Sequence, residues 1–198
     1  GPIYSRLTNP TNDAVEARIA SLEGGVGALL VSSGQSAAAL AILNIAQAGN
    51  NVVASPSLYG GSIILLKNSL GRLGIETRWV DDPADPAQWE ALADDRTVAF
   101  YGETIPNPKG DILDIEPVAQ AAHRVGVPLI VDNTVATPYL VRPLEWGADI
   151  VIHSATKYFS GHGTSVAGVI VDGGTFDFGS DPARYPDFND CLLYTSPS

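Results

Sequence analysis

The stretch VIHSATKYFSGHG, residues 151–163, sets one lysine among hydroxyls and just ahead of a glycine-rich loop. Ser154 and Thr156 come first, Lys157 follows directly, and Gly161 and Gly163 close the segment. Two hydroxyls and an amine past a strand end suit a ligand that carries both a phosphate and a carbonyl. The hydroxyls donate to the anion, and a desolvated, neutral amine attacks the carbonyl carbon. Taken alone, Lys157 is also readable as an exposed loop lysine, the commoner fate of that residue.

Three other stretches carry compatible chemistry. SSGQSAA, residues 32–38, turns into a helix N-terminus, where the free N–H groups of Gly34 and Gln35 and the helix dipole make a seat for an anion; ordinary capping is the plainer reading. Asp132 follows the apolar run 129–131 and needs a partner there, either a loop it caps or a cationic group on a ligand. Tyr59, in LYGGS, offers a flat ring that either stacks on a ligand or fills a turn. A phosphate seat, an acid for a ring nitrogen and a lysine for an aldehyde are together the three handles of pyridoxal phosphate (PLP). No strand runs into a G-x-G-x-x-G turn, which argues against a nicotinamide cofactor.

These residues need strands to hold them, and the hydropathy pattern supplies strands and helices in alternation. Short apolar runs predict strands at 28–31, 52–54, 76–80, 98–101, 129–131, 150–152 and 169–171. Helical spacing predicts helices at 12–22, with Thr11 or Asn12 as cap, at 36–48, stopped by Gly49, and at 63–73, 86–93 and 115–125, the last capped by Asp114. Such alternation means an α/β fold, a mostly parallel sheet with helices on both faces. Ligands then sit outside the carboxyl ends of the strands, where every candidate above lies. There is no internal repeat. After Phe178 the periodicity fails, and a linker, a flexible tail or a foreign sequence are all open for 179–198.

Composition narrows the classes. The 198 residues are 45% hydrophobic and 17% charged, enough for one packed core. Eleven basic residues against 22 acidic ones give a net charge of −11, which disfavours nucleic acid or an anionic membrane as partner. No apolar run reaches the ~18 residues of a membrane span. The single cysteine, Cys191, allows neither an intramolecular disulfide nor a cysteine zinc cluster, so no metal is expected and a reducing, cytoplasmic setting fits. The chain contains no methionine, and reads as a fragment of a longer product.

From Tyr4 to about Phe178 the chain resembles the Cys/Met-metabolism family of PLP enzymes, the cystathionine γ-synthase-like group of fold type I. The motifs that carry the resemblance are, in order, YSRLTNPT, LEGG, SSGQSAA, LYGGS, the Asn107-Pro108 pair, VDNTVATP, GADIVIHSATKY and GHGTS. The resemblance implies that residues 1–178 form the PLP-binding large domain and that a C-terminal domain supplying an arginine for the substrate carboxylate lies outside this chain. It implies Lys157 as the Schiff-base lysine, Asp132 as partner of the pyridinium nitrogen, and the N–H groups of Gly34 and Gln35 on the phosphate, with Ser154 and Thr156 adding hydroxyls. Tyr59 would stack on the ring and assist at the reacting carbon, and Asn107 would bond the ring hydroxyl. Tyr4 and Arg6 would reach the phosphate of a neighbouring subunit, which implies a homodimer or homotetramer with shared sites. Ser36 and Ser62 depart from the Ala and Thr usual at those places.

GETIPNPKGDILDIE, RPLEWGADIV and GHGTSVAGVIVDGG have the character of the subgroup that acts on O-acetylhomoserine. The implied reaction is γ-replacement on a small amino-acid substrate: O-acetyl-L-homoserine and sulfide, or another thiol, give L-homocysteine and acetate. Cystathionine γ-synthase or γ-lyase chemistry on the same scaffold is the alternative, as is an inactive cofactor-binding fragment. In the γ-lyases a cysteine usually stands where this chain has Gly61.

Overall fold

The computed structural model describes Tyr4, Ser5 and residues 7–189. Among the described residues seven strands form one sheet: β1 Gly27–Val31, β2 Asn51–Ala54, β3 Glu76–Trp79, β4 Thr97–Glu103, β5 Leu129–Asp132, β6 Ile150–His153 and β7 Gly168–Asp172. Their order across the sheet is β1–β7–β6–β5–β4–β2–β3. Only β7 runs antiparallel to its neighbours; the other pairings are parallel, so the carboxyl ends of the remaining six strands share one edge. The mostly parallel α/β sheet expected from the alternation of elements is present.

Side chains of successive strand residues point to opposite faces, and the core divides accordingly. Val52, Ala54, Tyr101, Ile130 and Ile152 pack with Ala37, Ala41 and Ile42 of helix α2, Gly34–Leu43, and with Leu66 and Leu70 beyond α3, Gly60–Ile64. Val53, Phe100, Leu129 and Val131 face the other way, onto Trp89 of α4, Pro86–Ala91, and Val118, Ala119 and Ala122 of α5, Ile115–Arg124. Val151, Val169 and Val171 lie under Ile19 of α1, Pro10–Glu23. Near-continuous apolar strands are what burial on both faces requires. The same parity sends Glu103 and Asp132 toward α2 and α3, while Asn133 and His153 face α1.

Several boundaries differ from the sequence reading. Helix α1 starts at Pro10, and its cap is Asn9, whose Oδ1 accepts from the N–H of Thr11 at 3.0 Å and of Asn12 at 3.3 Å. Neither Thr11 nor Asn12 is the cap. Proline fits the first helical position because its missing N–H has no partner there anyway. Helix α2 starts two residues earlier than the apolar pattern, at Gly34, because Ser33 caps it by accepting the Ser36 N–H at 3.0 Å. It ends at Leu43, not at Gly49, where the chain tightens as Ile45 donates to Ile42 and turns into the core. Past α3 the helix widens into a π-helical segment, Leu65–Leu70. Asp114 occupies the cap position of α5 without making a side-chain cap bond. The short helix α6, Thr137–Leu140, and the 3-10 turn Pro143–Trp146 carry no periodicity to detect.

From Phe178 onward the described residues form two single 3-10 turns, Phe178–Ser180 and Pro186–Phe188. Tyr185 is buried, donates its hydroxyl to the Val98 carbonyl at 2.9 Å and meets Phe176 and Phe178 edge-on. Among the described residues, no helix is long and apolar enough to cross a membrane, and no three His, Cys, Asp or Glu side chains cluster as metal ligands would.

Candidate active site

Three connections converge on the shared carboxyl edge of the sheet. The first is the start of α2, directly after β1. The N–H groups of Gly34 and Gln35 have no acceptor among the described residues, as expected in a first helical turn. A side chain at position 34 would place its Cβ 2.6 Å from the Ser154 Cβ and 2.8 Å from the Ser154 Cα. One at Gly168 would come 2.0 Å from the Ser33 carbonyl oxygen. Glycine at both places lets the helix start seat itself between the end of β6 and the beginning of β7. Two unpaired N–H donors and the Ser154 side chain therefore lie side by side.

The second connection joins Asp132 to Ser154. The Oδ1 of Asp132 accepts from the Thr134 hydroxyl at 2.5 Å and from the Thr134 N–H at 2.9 Å. The Thr134 hydroxyl in turn accepts the Ser154 N–H at 2.8 Å. Oδ2 of Asp132 has no hydrogen-bond partner among the described residues. Burial pushes the Asp132 carboxyl up from its ordinary range; the two Thr134 bonds and the charge of His153 oppose that rise. Thr134 was not singled out by sequence reasoning. The signal available was a hydroxyl two residues past a strand-end acid, the spacing of an Asx-type turn.

Tyr59 forms the third. Its ring lies against Gly61 and Gln35: a Cβ at Gly61 would sit 2.5 Å from Tyr59 Cε1 and 3.0 Å from Gln35 Nε2. The Tyr59 N–H donates to both oxygens of Glu103, at 2.9 and 3.0 Å, and the Ser62 hydroxyl donates to Oε1 at 3.0 Å. Glu103, the last residue of β4, pairs in register with Asp132 and is 6% exposed. Burial first, then the charge of Asp132, pushes its carboxyl up to about 7, against the Tyr59 and Ser62 bonds.

The remaining expected residues are less uniformly placed. Lys157 lies exposed in the turn after β6, its N–H donating to the Ser154 carbonyl at 3.1 Å, so the described residues do not supply the desolvation invoked for its amine. Thr156 differs from expectation: its hydroxyl donates to the Ala167 carbonyl at 3.1 Å and accepts the Ala167 N–H at 3.0 Å. Its proton is committed to holding the lysine turn against the strand that follows. Asn107 is exposed in the turn after β4 with no side-chain partner among the described residues. Tyr4 is half exposed ahead of α1, and Arg6 lies outside the described residues.

On the opposite face a buried set of polar groups braces the same loops. Glu23, at the end of α1, is fully buried and bonds His153 Nε2 through Oε1, which also accepts from Asn133 Nδ2 at 3.0 Å. Asn133 donates to the Val141 carbonyl at 2.9 Å and accepts the Thr104 hydroxyl at 3.1 Å. A glutamate in the last turn of a helix opposes the helix dipole, and that is the one sequence signal that this residue has a partner elsewhere.

A family model for Cys/Met metabolism PLP-dependent enzymes matches residues 1–186. The chain belongs to that family. It is 55% identical over 188 residues to the O-acetyl-L-homoserine sulfhydrylase of Corynebacterium glutamicum, a match covering 95% of this chain and 43% of the relative. It is 51% identical to the homocysteine synthase of Schizosaccharomyces pombe, covering 96% and 44%. Among solved structures it resembles an O-acetylhomoserine (thiol)-lyase of Campylobacter jejuni that carries a pyridoxyl-lysine phosphate, with a TM-score of 0.84, 41% identity, and coverage of 87% of this chain and 42% of that one. The chain therefore spans under half the length of these relatives.

The geometry of this family member fits the family's cofactor. A phosphate would find the two unpaired N–H donors at Gly34 and Gln35, on a helix start that any Cβ at position 34 would push away from Ser154. A protonated ring nitrogen would find Asp132, whose half-buried carboxylate has no counter-charge bonded to Oδ2 among the described residues. The backbone of Lys157 stands one short turn from Ser154.

Proposed function

We propose that this chain carries the cofactor-binding half of a PLP-dependent γ-replacement enzyme. The overall reaction is O-acetyl-L-homoserine plus hydrogen sulfide to L-homocysteine plus acetic acid. The observation that carries the reading is the hydrogen-bonded line Asp132–Thr134–Ser154, which ends beside the free donors of Gly34. It would serve the two ends of one ligand, an acid for a ring nitrogen and donors for a phosphate.

Bound PLP supplies an electron sink for negative charge at the substrate α-carbon. The protein's own groups do the rest. Gly34 and Gln35 donate backbone N–H groups to the phosphate, and Ser154 adds its hydroxyl. Asp132 keeps the ring nitrogen protonated, and Thr134 fixes which oxygen faces it. Lys157 Nζ would hold the cofactor aldehyde and, once freed by the substrate amine, would carry the protons lost from the substrate Cα and Cβ and return them as sulfur adds. Tyr59 covers the ring. Asn107 would reach the ring hydroxyl from the exposed turn after β4. Thr156 serves the lysine turn and would reach the phosphate only by releasing Ala167. Acetate leaves Cγ and sulfur takes its place, so the substrate amino acid and a small thiol are the partners.

A homo-oligomer completes this reading. Tyr139, Leu140, Trp146 and Tyr158 are exposed around one groove, an apolar surface of the kind that interaction sites use. Tyr4 and Arg6 would act from a second copy.

The test is reduction with borohydride after incubation with PLP. The expected product is a pyridoxyl group on the peptide containing Lys157 and none in Lys157→Ala. Labelling spread over other lysines sinks the assignment. Homocysteine formed by the whole protein from O-acetylhomoserine with sulfide, compared with cystathionine formed with cysteine, separates the sulfhydrylase reading from its synthase neighbour.

A further inference from the structure

We propose that Glu103 is a positioning residue for Tyr59: its carboxylate clamps the Tyr59 backbone and the Ser62 hydroxyl together, holds the Tyr59 ring over the cofactor seat, and loosens when the carboxyl is protonated. The proposal rests on the reading of Tyr59 as the ring-covering residue.

The geometry is unusual for a simple structural acid. Both oxygens of Glu103 reach the same N–H, and Oε1 takes a second donor from the first turn of the helix that Tyr59 opens. No lysine, arginine or histidine bonds this carboxylate among the described residues. Tyr59 is itself half exposed, so few contacts other than Gly61, Gln35 and this clamp fix its ring. A buried carboxylate without a cation is costly, and it persists where surrounding donors require it.

The groups around it set the direction of its response. Asp132 faces it from β5 and Tyr101 from its own strand, while Asp81, Asp82, Lys109 and Asp111 line the adjoining cavity of about 330 Å3. Acids outnumber the one lysine, so deprotonation is deferred. Burial and Asp132 bring the carboxyl up to about 7, which puts the change between acid and carboxylate in the neutral range. As a carboxylate it accepts charge-assisted bonds from two donors, one of them shared between its oxygens; as an acid it loses one acceptor and the charge, and the Tyr59 bond weakens.

The Tyr59 amide reports the clamp without any cofactor. In the isotope-labelled chain its amide signal is expected to shift with pH through the Glu103 midpoint, and to stop doing so in Glu103→Gln. Ser62→Ala, a milder change, is expected to move that midpoint upward, since it removes a donor to the carboxylate. A Tyr59 amide that does not titrate, or titrates unchanged in Glu103→Gln, overturns the clamp.

PLP is the probe for the second arm. Its dissociation constant near pH 8 is measured in wild type, Glu103→Gln, Tyr59→Ala and the double variant. Expected is a loss of about tenfold from Glu103→Gln alone and less than about twofold in the Tyr59→Ala background, the non-additivity of residues acting as one unit. Equal losses in both backgrounds overturn the positioning role. A wild-type chain that binds no PLP sinks the function proposed above instead, and the amide titration then decides the clamp alone.

Discussion

Asp132 and Ser154 sit on neighbouring strands and are joined through one hydroxyl. Thr134 donates to the Asp132 carboxylate at 2.5 Å and accepts the Ser154 N–H at 2.8 Å. The acid at the end of β5 and the serine at the end of β6 thereby keep a fixed separation. A ligand touching both meets a preformed distance.

Thr134→Val keeps the shape and removes both bonds. The partly buried Ser154 N–H is left without an acceptor, at a cost of about 1–3 kcal/mol in unfolding free energy. PLP affinity is expected to fall at least about tenfold, equivalent to ~1.4 kcal/mol. Thr134→Ser retains the hydroxyl and is expected to restore most of both. Urea unfolding and a PLP titration check the pair; a valine variant that binds as well as the serine variant would separate Thr134 from the site.

Gly34→Ala drives a methyl group into Ser154, 2.6 Å from its Cβ and 2.8 Å from its Cα. Overpacking of this kind costs about 1–3 kcal/mol. Gly71→Ala is the control, since nothing lies within 4 Å of a Cβ there. It is expected to leave stability unchanged or raise it by roughly 0.5–1 kcal/mol, the helix-interior gain of alanine over glycine. The difference in urea midpoints between the two variants measures how tightly α2 is seated.

Glu23→Ala removes the partner of two buried groups at once, His153 Nε2 and Asn133 Nδ2. Breaking a buried pair from one side costs about 3–5 kcal/mol. Glu23→Gln keeps an acceptor and the volume and is expected to cost clearly less. Chemical denaturation of both variants tests this, and equal losses would mean that the carboxylate charge, not volume or a neutral acceptor, carries the pair.

Glu103 makes stability depend on pH with a definite sign. Its carboxyl titrates at 4.5 in the unfolded reference and at about 7 in the fold. Below the lower value it is neutral in both states and costs nothing. Between the two, the unfolded chain releases its proton more readily, so stability falls as pH rises and stays lowered above the folded value. Glu103→Gln is neutral throughout. Its advantage over wild type is expected to be near zero at low pH and to approach on the order of 3 kcal/mol by pH 8. Unfolding curves at several pH values read this difference directly, and a constant offset would show that Glu103 does not titrate in this range.

Much of this protein could be read along the chain. Alternating apolar strands and helices identify the parallel α/β sheet because burial on both faces demands unbroken hydrophobic runs. Asp132, Ser154, Lys157 and the SSGQ turn stand out for a related reason: polar groups directly after such runs sit at the strand ends, where ligands bind. Tertiary structure decided the partners. Glu103 and Tyr59 lie 44 residues apart, and Glu23 and His153 lie 130 apart, so no local pattern pairs them. Strand order brings β4 beside β2 and folds α1 under β6; only then do these acids find donors. Thr156 shows the converse. Its residue type suits a phosphate, yet the approach of Ala167 at the start of β7 claims its proton. A hydroxyl takes the nearest acceptor in space, and distance in space is fixed by the packing of the sheet rather than by spacing along the chain.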